Sequence, residues 1–311
     1  MEDAKSTDVI IVGGGPAGIA AALWCGELGL KSVLIEGSTR FGGQLHRVYN
    51  PIENYPGLRT ENGIEMLSNF EASLASRNFV SRIGIKVSAV DTVSMQVRLD
   101  ASSDEVWSGR AIVLAMGVRR RFLGVPGEAE FVGRGILESG VRDKDQVEGK
   151  RVLVVGGGDA AFENAINLSD VAESVAVAFR KGHPSAREDF VKIARQRGNI
   201  EFLPGTVVTE ISGNSSVEGV VTKNSDGDAK FVSVDSVLIR IGVEPNSELV
   251  RECVAIDGGG YIKVDHTGRT SCENVYAIGD VANENSPTLS TAVGTAASAV
   301  KAISHSIRAA R

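Results

Sequence analysis

The sequence predicts an α/β protein of two three-layer units, the second inserted into the first. One strand–glycine–helix pattern is written twice, as "DVIIVGGGPAGIAAALW" from Asp8 and "RVLVVGGGDAAFENAIN" from Arg151. Each copy opens with an uninterrupted apolar run, which suits a parallel strand covered on both faces. Two further apolar runs, "AIVLAMGV" (111–118) and "SVLIRIGVEPN" (236–246), end in glycine crossings on either side of the second copy. The 311 residues also exceed what one hydrophobic core usually holds.

In each copy the glycines permit a tight turn and let backbone N–H groups approach a pyrophosphate at the helix N-terminus. The two units are therefore expected to be Rossmann-like dinucleotide-binding domains. The first is discontinuous, 1–117 and 246–311, and the second is the insert, 118–245. The connections near 118 and 245 would form a paired hinge. "GNIEFLPGTVVTEISG" reads as strand and hairpin material in the insert, and "GYIKVD" as a strand of the outer domain.

The second strand of each copy tells the two sites apart. In the first copy "KSVLIE" ends in Glu36, placed to accept hydrogen bonds from a ribose diol. Sliding the first copy onto the second without a gap puts Phe179 opposite Glu36, followed by Arg180 and Lys181. Cations there suit a 2′-phosphate, which favours NADPH over NADH, and a solvated basic loop is the competing reading. The turn "GHPSA" could fold Arg187 back to join them, and Phe179 could stack on an adenine of some other dinucleotide.

Composition excludes several classes. A net charge of −6 offers no basic field for nucleic acid. No apolar run approaches a bilayer span, and "MEDAKST" reads as neither signal nor transit peptide, so a cytoplasmic protein is expected. Cys25, Cys253 and Cys272 form no local pair, an odd count that fits a reduced compartment. His46, His183, His266 and His305 are scattered without metal-ligand spacing, so no metal site is expected.

Together "GGGPAG" (13–18), Glu36, "GGQL" (42–45), "ENYPG" (53–57), "GVPGE" (124–128), "GGGDAA" (156–161), "IGVEPN" (241–246) and "YAIGDVA" (276–282) resemble the low-molecular-weight thioredoxin reductase family across essentially the whole chain. The resemblance implies FAD in the outer domain, NADPH (or NADH or another dinucleotide) in the insert, and a homodimer. It also implies an inserted domain that rotates between two states. Gly13, Gly15 and Gly18 would receive the FAD pyrophosphate and Glu36 the adenosine ribose. Gly43, Gln44 and Asn54 would line the flavin side, and Asp280 beside Gly279 would hold the ribityl chain. A helix beginning near Thr288, with Leu289 and Ser290, would aim its positive end at the flavin pyrimidine edge. Gly156, Gly158, Ala161, Arg180, Lys181 and Arg187 would form the second nucleotide site.

The departures from the family are as informative. "GRGILESGVRDKD" (133–145) aligns with the dithiol segment, yet Ser139 and Arg142 stand at the two cysteine positions, with Asp143 kept as the acid. Serine and arginine cannot perform disulfide exchange. Cys25, about nine residues into the first helix, most simply packs as a small hydrophobe. Pro287, Thr288 and Leu289 replace the family's Arg-Gln-Ala, and Arg240 stands where the family has a small residue. Arg142 and Asp143, in the family pose, would lie near the flavin, where a guanidinium would raise its potential. Alternatively Arg142 pairs with Asp143 or Asp145 and faces water.

The expected activity is an NAD(P)H-dependent flavin oxidoreductase that passes electrons to an external small molecule or small redox protein. A ferredoxin/flavodoxin-NADP reductase-like activity is one alternative, although those relatives carry a C-terminal extension and this chain stops with "AISHSIRAAR". Reduction of an external disulfide is another. A non-catalytic flavin and dinucleotide sensor is the third.

Overall fold

The computed structural model describes residues 4–75, 77–100 and 105–310. The chain divides into two compact units, one running to Arg119 and resuming at Glu244, the other Arg120–Val243.

The first unit opens with β1 (Lys5–Val12), α1 (Pro16–Glu27), β2 (Ser32–Glu36) and α2 (Gly63–Leu74). It continues through β3 (Val80–Ile83), β4 (Val87–Asp91), β5 (Gln96–Leu99) and β6 (Val106–Leu114). After β7 (Val118–Arg120) the second unit contributes β8 (Ile136–Leu137), β9 (Arg151–Val155), α3 (Asp159–Ser169) and β10 (Ser174–Phe179). Next come α4 (Glu188–Gln196), β11 (Ile200–Pro204), β12 (Val207–Gly213), β13 (Val217–Lys223), β14 (Ala229–Ser233) and β15 (Ser236–Ile239). The chain returns through β16 (Val243–Pro245) and closes with β17 (Val275–Ala277) and α5 (Leu289–Ala309). Where it passes between units, β7 and β16 pair as a two-stranded ribbon.

The first unit is built on a sheet ordered β3-β2-β1-β6-β5-β4, with β17 also against β6. β1 pairs in parallel with β2 and β6, whereas β4 and β5 extend the sheet as an antiparallel meander. The alternation along β1 shows why its run is apolar throughout. Val9 and Ile11 enter the core beneath α1, α2 and α5, whereas Ile10 and Val12 enter the core on the other face, with Val97, Val250 and Ile262. The alanines of α1 leave little side-chain bulk, so that helix packs closely on α5.

The second unit repeats the logic in a smaller frame. Its sheet order is β11-β10-β9-β15-β8, with every pair parallel. Val152 and Val154 of β9 face α3 and α4; Leu153 and Val155 face the antiparallel layer β12-β13-β14. "GNIEFLPGTVVTEISG" is thus divided: β11 completes the parallel sheet, and β12 begins the covering layer. The strand expected at "GYIKVD" reduces to a single bridge between Ile256 and Ile262, because Asp257 turns the chain by accepting from the Gly259 and Tyr261 N–H groups.

Glycine is required where helix meets strand. A Cβ on Gly18 would lie 1.8 Å from the Gly13 carbonyl oxygen, so α1 rests directly on the turn before it. Gly18→Ala is expected to cost on the order of 1–3 kcal/mol by overpacking. Thermal unfolding followed by circular dichroism should show the midpoint falling by several degrees, with Gly198→Ala, which meets nothing within 4 Å, unchanged.

Candidate functional site

Each unit opens a cavity at the carboxyl ends of its central parallel strands, the place where α/β sheets bind ligands. In the first unit a cavity of about 330 Å³ is lined by Gly13, Gly15, Glu36, Gly43, Gln44, Asp280 and neighbours. Gly13 holds φ +107°, and a Cβ there would collide with the Ala115 carbonyl oxygen at 2.4 Å. Gly15 caps α1, and Pro16 occupies its first position, where no N–H is needed. No acidic residue neutralises the first turn of α1 or of α5, and Thr288 caps α5 by accepting from the Thr291 N–H at 3.2 Å. Gly15, Pro16 and Ala17 at one helix start, and Thr288 and Leu289 at the other, line the same cavity. Two positive dipole ends therefore meet there, an arrangement suited to an anion.

Two carboxylates complete this cavity. Glu36 accepts from the Gly14 and Ser38 N–H groups, each at 2.7 Å, which fixes its orientation while further lone pairs remain for hydroxyl donors. Asp280 is half-buried, and that burial pushes its carboxyl above the usual carboxylate range. Hydroxyl donors from a sugar or polyol would relieve that cost. Gln44 donates to the Val118 carbonyl at 2.6 Å, tying the Gly42–Gly43 turn to the end of the unit's first segment. Ser38, Asn246 and Met116 also line the cavity, although the sequence had not singled them out. Asn246 donates to the Met116 carbonyl and accepts from Arg119, contacts no local pattern announces.

Several expected residues lie outside this lining. Gly18 serves packing, as described above. Gly279 (φ +68°) is buried against α1, where a Cβ would come 2.7 Å from that of Ala17; it lets the chain pass closely enough to present Asp280. Asn54 is exposed, because the "ENYPG" turn is anchored instead by Tyr55 packing edge-on against Phe70. Ser290 is exposed, one helical step of about 100° away from Leu289.

In the second unit a cavity of about 560 Å³ surrounds Gly156, Gly157 and Gly158, with Arg180, Lys181 and His183 along one side. Gly156 holds φ +144°, and a Cβ there would lie 2.1 Å from the Arg240 carbonyl oxygen. The loop after β10 folds over the glycine turn, with Ser185 and Ala186 donating to the Gly157 carbonyl at 2.8 and 2.9 Å. Arg187 is not part of the lining: it pairs with Asp159 in the first turn of α3 at 2.7 Å and lies over the Phe190 ring. Ala161 is fully buried against the turn and supports it from below. Phe179 borders the cavity but packs with Phe162 and Phe202, which makes it a floor and not a stacking face. Phe122, 70% exposed at the rim, is the aromatic that sequence reasoning passed over.

The segment from Glu138 to Asp143 is a closed turn. Ser139 Oγ accepts from the Val141 N–H at 3.2 Å, and Asp143, 4% exposed, accepts from the Glu138 and Ser139 N–H groups at 2.6 and 3.0 Å. Asn164 on α3 holds Gly140 from the other side, accepting its N–H at 2.6 Å. Arg142 pairs with Asp143 at 3.5 Å, as one reading of the sequence held, and also with Glu138. Asp143 thus acts on the backbone of the turn. Cys25 is fully buried in α1, and desolvation pushes its thiol up to about 12, so it remains a protonated packing group. Cys272 donates to the Cys253 carbonyl, and all three cysteines are free.

A carboxyl whose pKa is raised by folding weakens the folded state once the pH exceeds its folded pKa, and ceases to do so below its unfolded value of about 4. Asp280→Asn is therefore expected to raise the unfolding midpoint of the ligand-free protein at pH 8, with the gain gone near pH 3. Paired thermal melts at the two pH values check this, and an equal gain at both would remove burial of charge as the cause.

Among the described residues no helix is long and apolar enough to cross a membrane. The sequence profile of the pyridine nucleotide-disulphide oxidoreductase family matches residues 7–303. The chain is 36% identical over 297 residues to a thioredoxin reductase of Mycolicibacterium smegmatis, covering 94% of each chain. Its structure is similar to that of Lactococcus lactis thioredoxin reductase, with TM-score 0.84 and 30% identity over 96% of this chain and 97% of that one. The T. acidophilum thioredoxin reductase structure gives TM-score 0.83 and 28% identity over 98% of this chain and 99% of that one. With two strand–glycine–helix cavities matched along nearly its whole length, the chain belongs to the pyridine nucleotide-disulphide oxidoreductase family and is thioredoxin reductase-like.

Proposed function

We propose that this protein is an FAD-dependent oxidoreductase that oxidises NAD(P)H and passes the electrons to an acceptor outside the chain, without an internal dithiol. The observation that carries the reading is the pairing of two nucleotide-shaped cavities with a serine and an arginine at the dithiol positions. In this reading residues up to 117 and from 246 hold FAD, and 118–245 hold the second dinucleotide. A homodimer in the cytoplasm, working with a small molecule or small redox protein, accords with it.

The residues of the first cavity suit FAD. Two helix N-termini accommodate an anionic diphosphate, Glu36 accepts from a ribose, and the buried Asp280 carboxylate accepts from a polyol chain. Bound FAD would supply the two-electron chemistry that no side chain of the polypeptide supplies. Asp143 keeps the 138–143 turn closed, and Ser139 Oγ is occupied as a backbone acceptor, so this turn moves no electrons.

In the second cavity Gly156–Gly158 and the start of α3 receive a pyrophosphate. Arg180 and Lys181, exposed at its edge, take a 2′-phosphate by charge-assisted hydrogen bonds, which selects NADPH. Arg187 contributes indirectly: by pairing with Asp159 it removes a negative charge from the phosphate-binding end of α3.

Anaerobic mixing with NADPH is expected to bleach the flavin band without increasing the number of thiols that react with a thiol reagent. Failure of both NADPH and NADH to bleach it would overturn the oxidoreductase reading, and two new thiols per chain would overturn the dithiol-free one. Replacing Arg180 and Lys181 together by Ala should weaken NADPH binding about 10- to 100-fold while leaving NADH within about twofold. Equilibrium titration of both nucleotides checks the difference.

A further inference from the structure

We infer that Arg240 makes the second cavity discriminate between the two redox forms of the nicotinamide dinucleotide, favouring the reduced form. The inference rests on the proposed dinucleotide site and adds a specificity residue to it.

The topology divides the cavity into two ends. β9, β10 and β11 follow one another to one side of the sheet, while β15 lies on the other side of β9. Strand order reverses between β9 and β15, and a dinucleotide lies across such a reversal with its pyrophosphate at the glycine turn. Arg180, Lys181 and His183 follow β10, which assigns that end to the adenosine half. The nicotinamide half then falls beyond β15, and Arg240 is the residue immediately after that strand. Its carbonyl touches the Gly156 turn, and the residue lines the cavity.

The guanidinium of Arg240 is held in place. It donates to the Ile239 carbonyl at 2.8 Å and to the Glu138 carbonyl, which also accepts from Arg120 at 2.7 Å. Arg142 pairs with the Glu138 carboxylate and with Asp143. Three guanidiniums (Arg120, Arg142, Arg240) and two carboxylates (Glu138, Asp143) thus gather beyond β8 and β15, an excess of one positive charge among these five groups. Arg240 is half-buried, so its field is screened less than that of an exposed side chain. The oxidised nicotinamide ring carries a positive charge and the reduced ring does not. A fixed cation beside it repels the oxidised form alone, which retains reduced dinucleotide and hastens departure of the oxidised product.

The test is calorimetric titration of the flavin-loaded protein with 1,4,5,6-tetrahydro-NADP and NADP⁺ (the first an uncharged-ring, redox-inert stand-in for NADPH), and with 2′,5′-ADP. Arg240→Gln is expected to lower the ratio of affinities for the uncharged over the charged ring about tenfold (about 1.4 kcal/mol). Arg240→Lys should keep most of the ratio, and 2′,5′-ADP should bind all three proteins alike. An unchanged ratio in Arg240→Gln overturns the inference. So does an equal loss for all three ligands, which would make Arg240 a support of the cavity and not a discriminator. If the wild-type protein binds none of the three, the proposed dinucleotide site itself fails.

Discussion

No side chain fits at Gly13 or at Gly156. A Cβ at the first would meet the Ala115 carbonyl oxygen at 2.4 Å, and at the second the Arg240 carbonyl oxygen at 2.1 Å. Gly13 directly follows β1 and Gly156 directly follows β9, each an interior strand of its sheet with parallel neighbours, and both hold φ angles that L-residues rarely adopt. The chain can therefore turn at once into a helix whose N-terminus opens on the edge of the sheet. Burial of that sheet on both faces leaves its carboxyl edge as the place where polar backbone groups remain available to a ligand.

The two copies share this turn and differ in what surrounds it. Glu36 and Asp280 give the first cavity two carboxylate acceptors, and Arg180 and Lys181 give the edge of the second two cations. One of the differences between the two helices bears directly on the turn. Gly18 lies against the Gly13 carbonyl, whereas the equivalent Ala161 packs its methyl beside Gly156. The second helix thus tolerates a side chain that the first cannot accommodate.

The segment at 133–145 is closed by polar side chains from its own turn and from α3. Asp143 staples the turn through the Glu138 and Ser139 N–H groups, and Asn164 anchors it to α3. Ser139 Oγ is satisfied locally, and Arg142 reaches outward to Glu138. The turn is held by its backbone N–H groups donating to the side chains of Asp143, Asn164 and Ser139.

The amino-acid sequence by itself determined the repeated strand–turn–helix, the acid at the end of β2 and the cations after β10, because each is written within a few consecutive residues and obeys a local steric or electrostatic rule. Tertiary structure decided what such rules cannot reach. Arg187 was claimed by Asp159, 28 positions away, and Phe179 by an aromatic cluster assembled from three elements. Asn54 faced water once Tyr55 found Phe70, and "GYIKVD" gave up its strand to the turn at Asp257. Asn246 joined the first cavity, and Arg240 met Arg120 at one carbonyl, through the return of a chain that had travelled more than a hundred residues. Side chains with several possible partners take the one that packing brings within reach, and that choice depends on the whole fold.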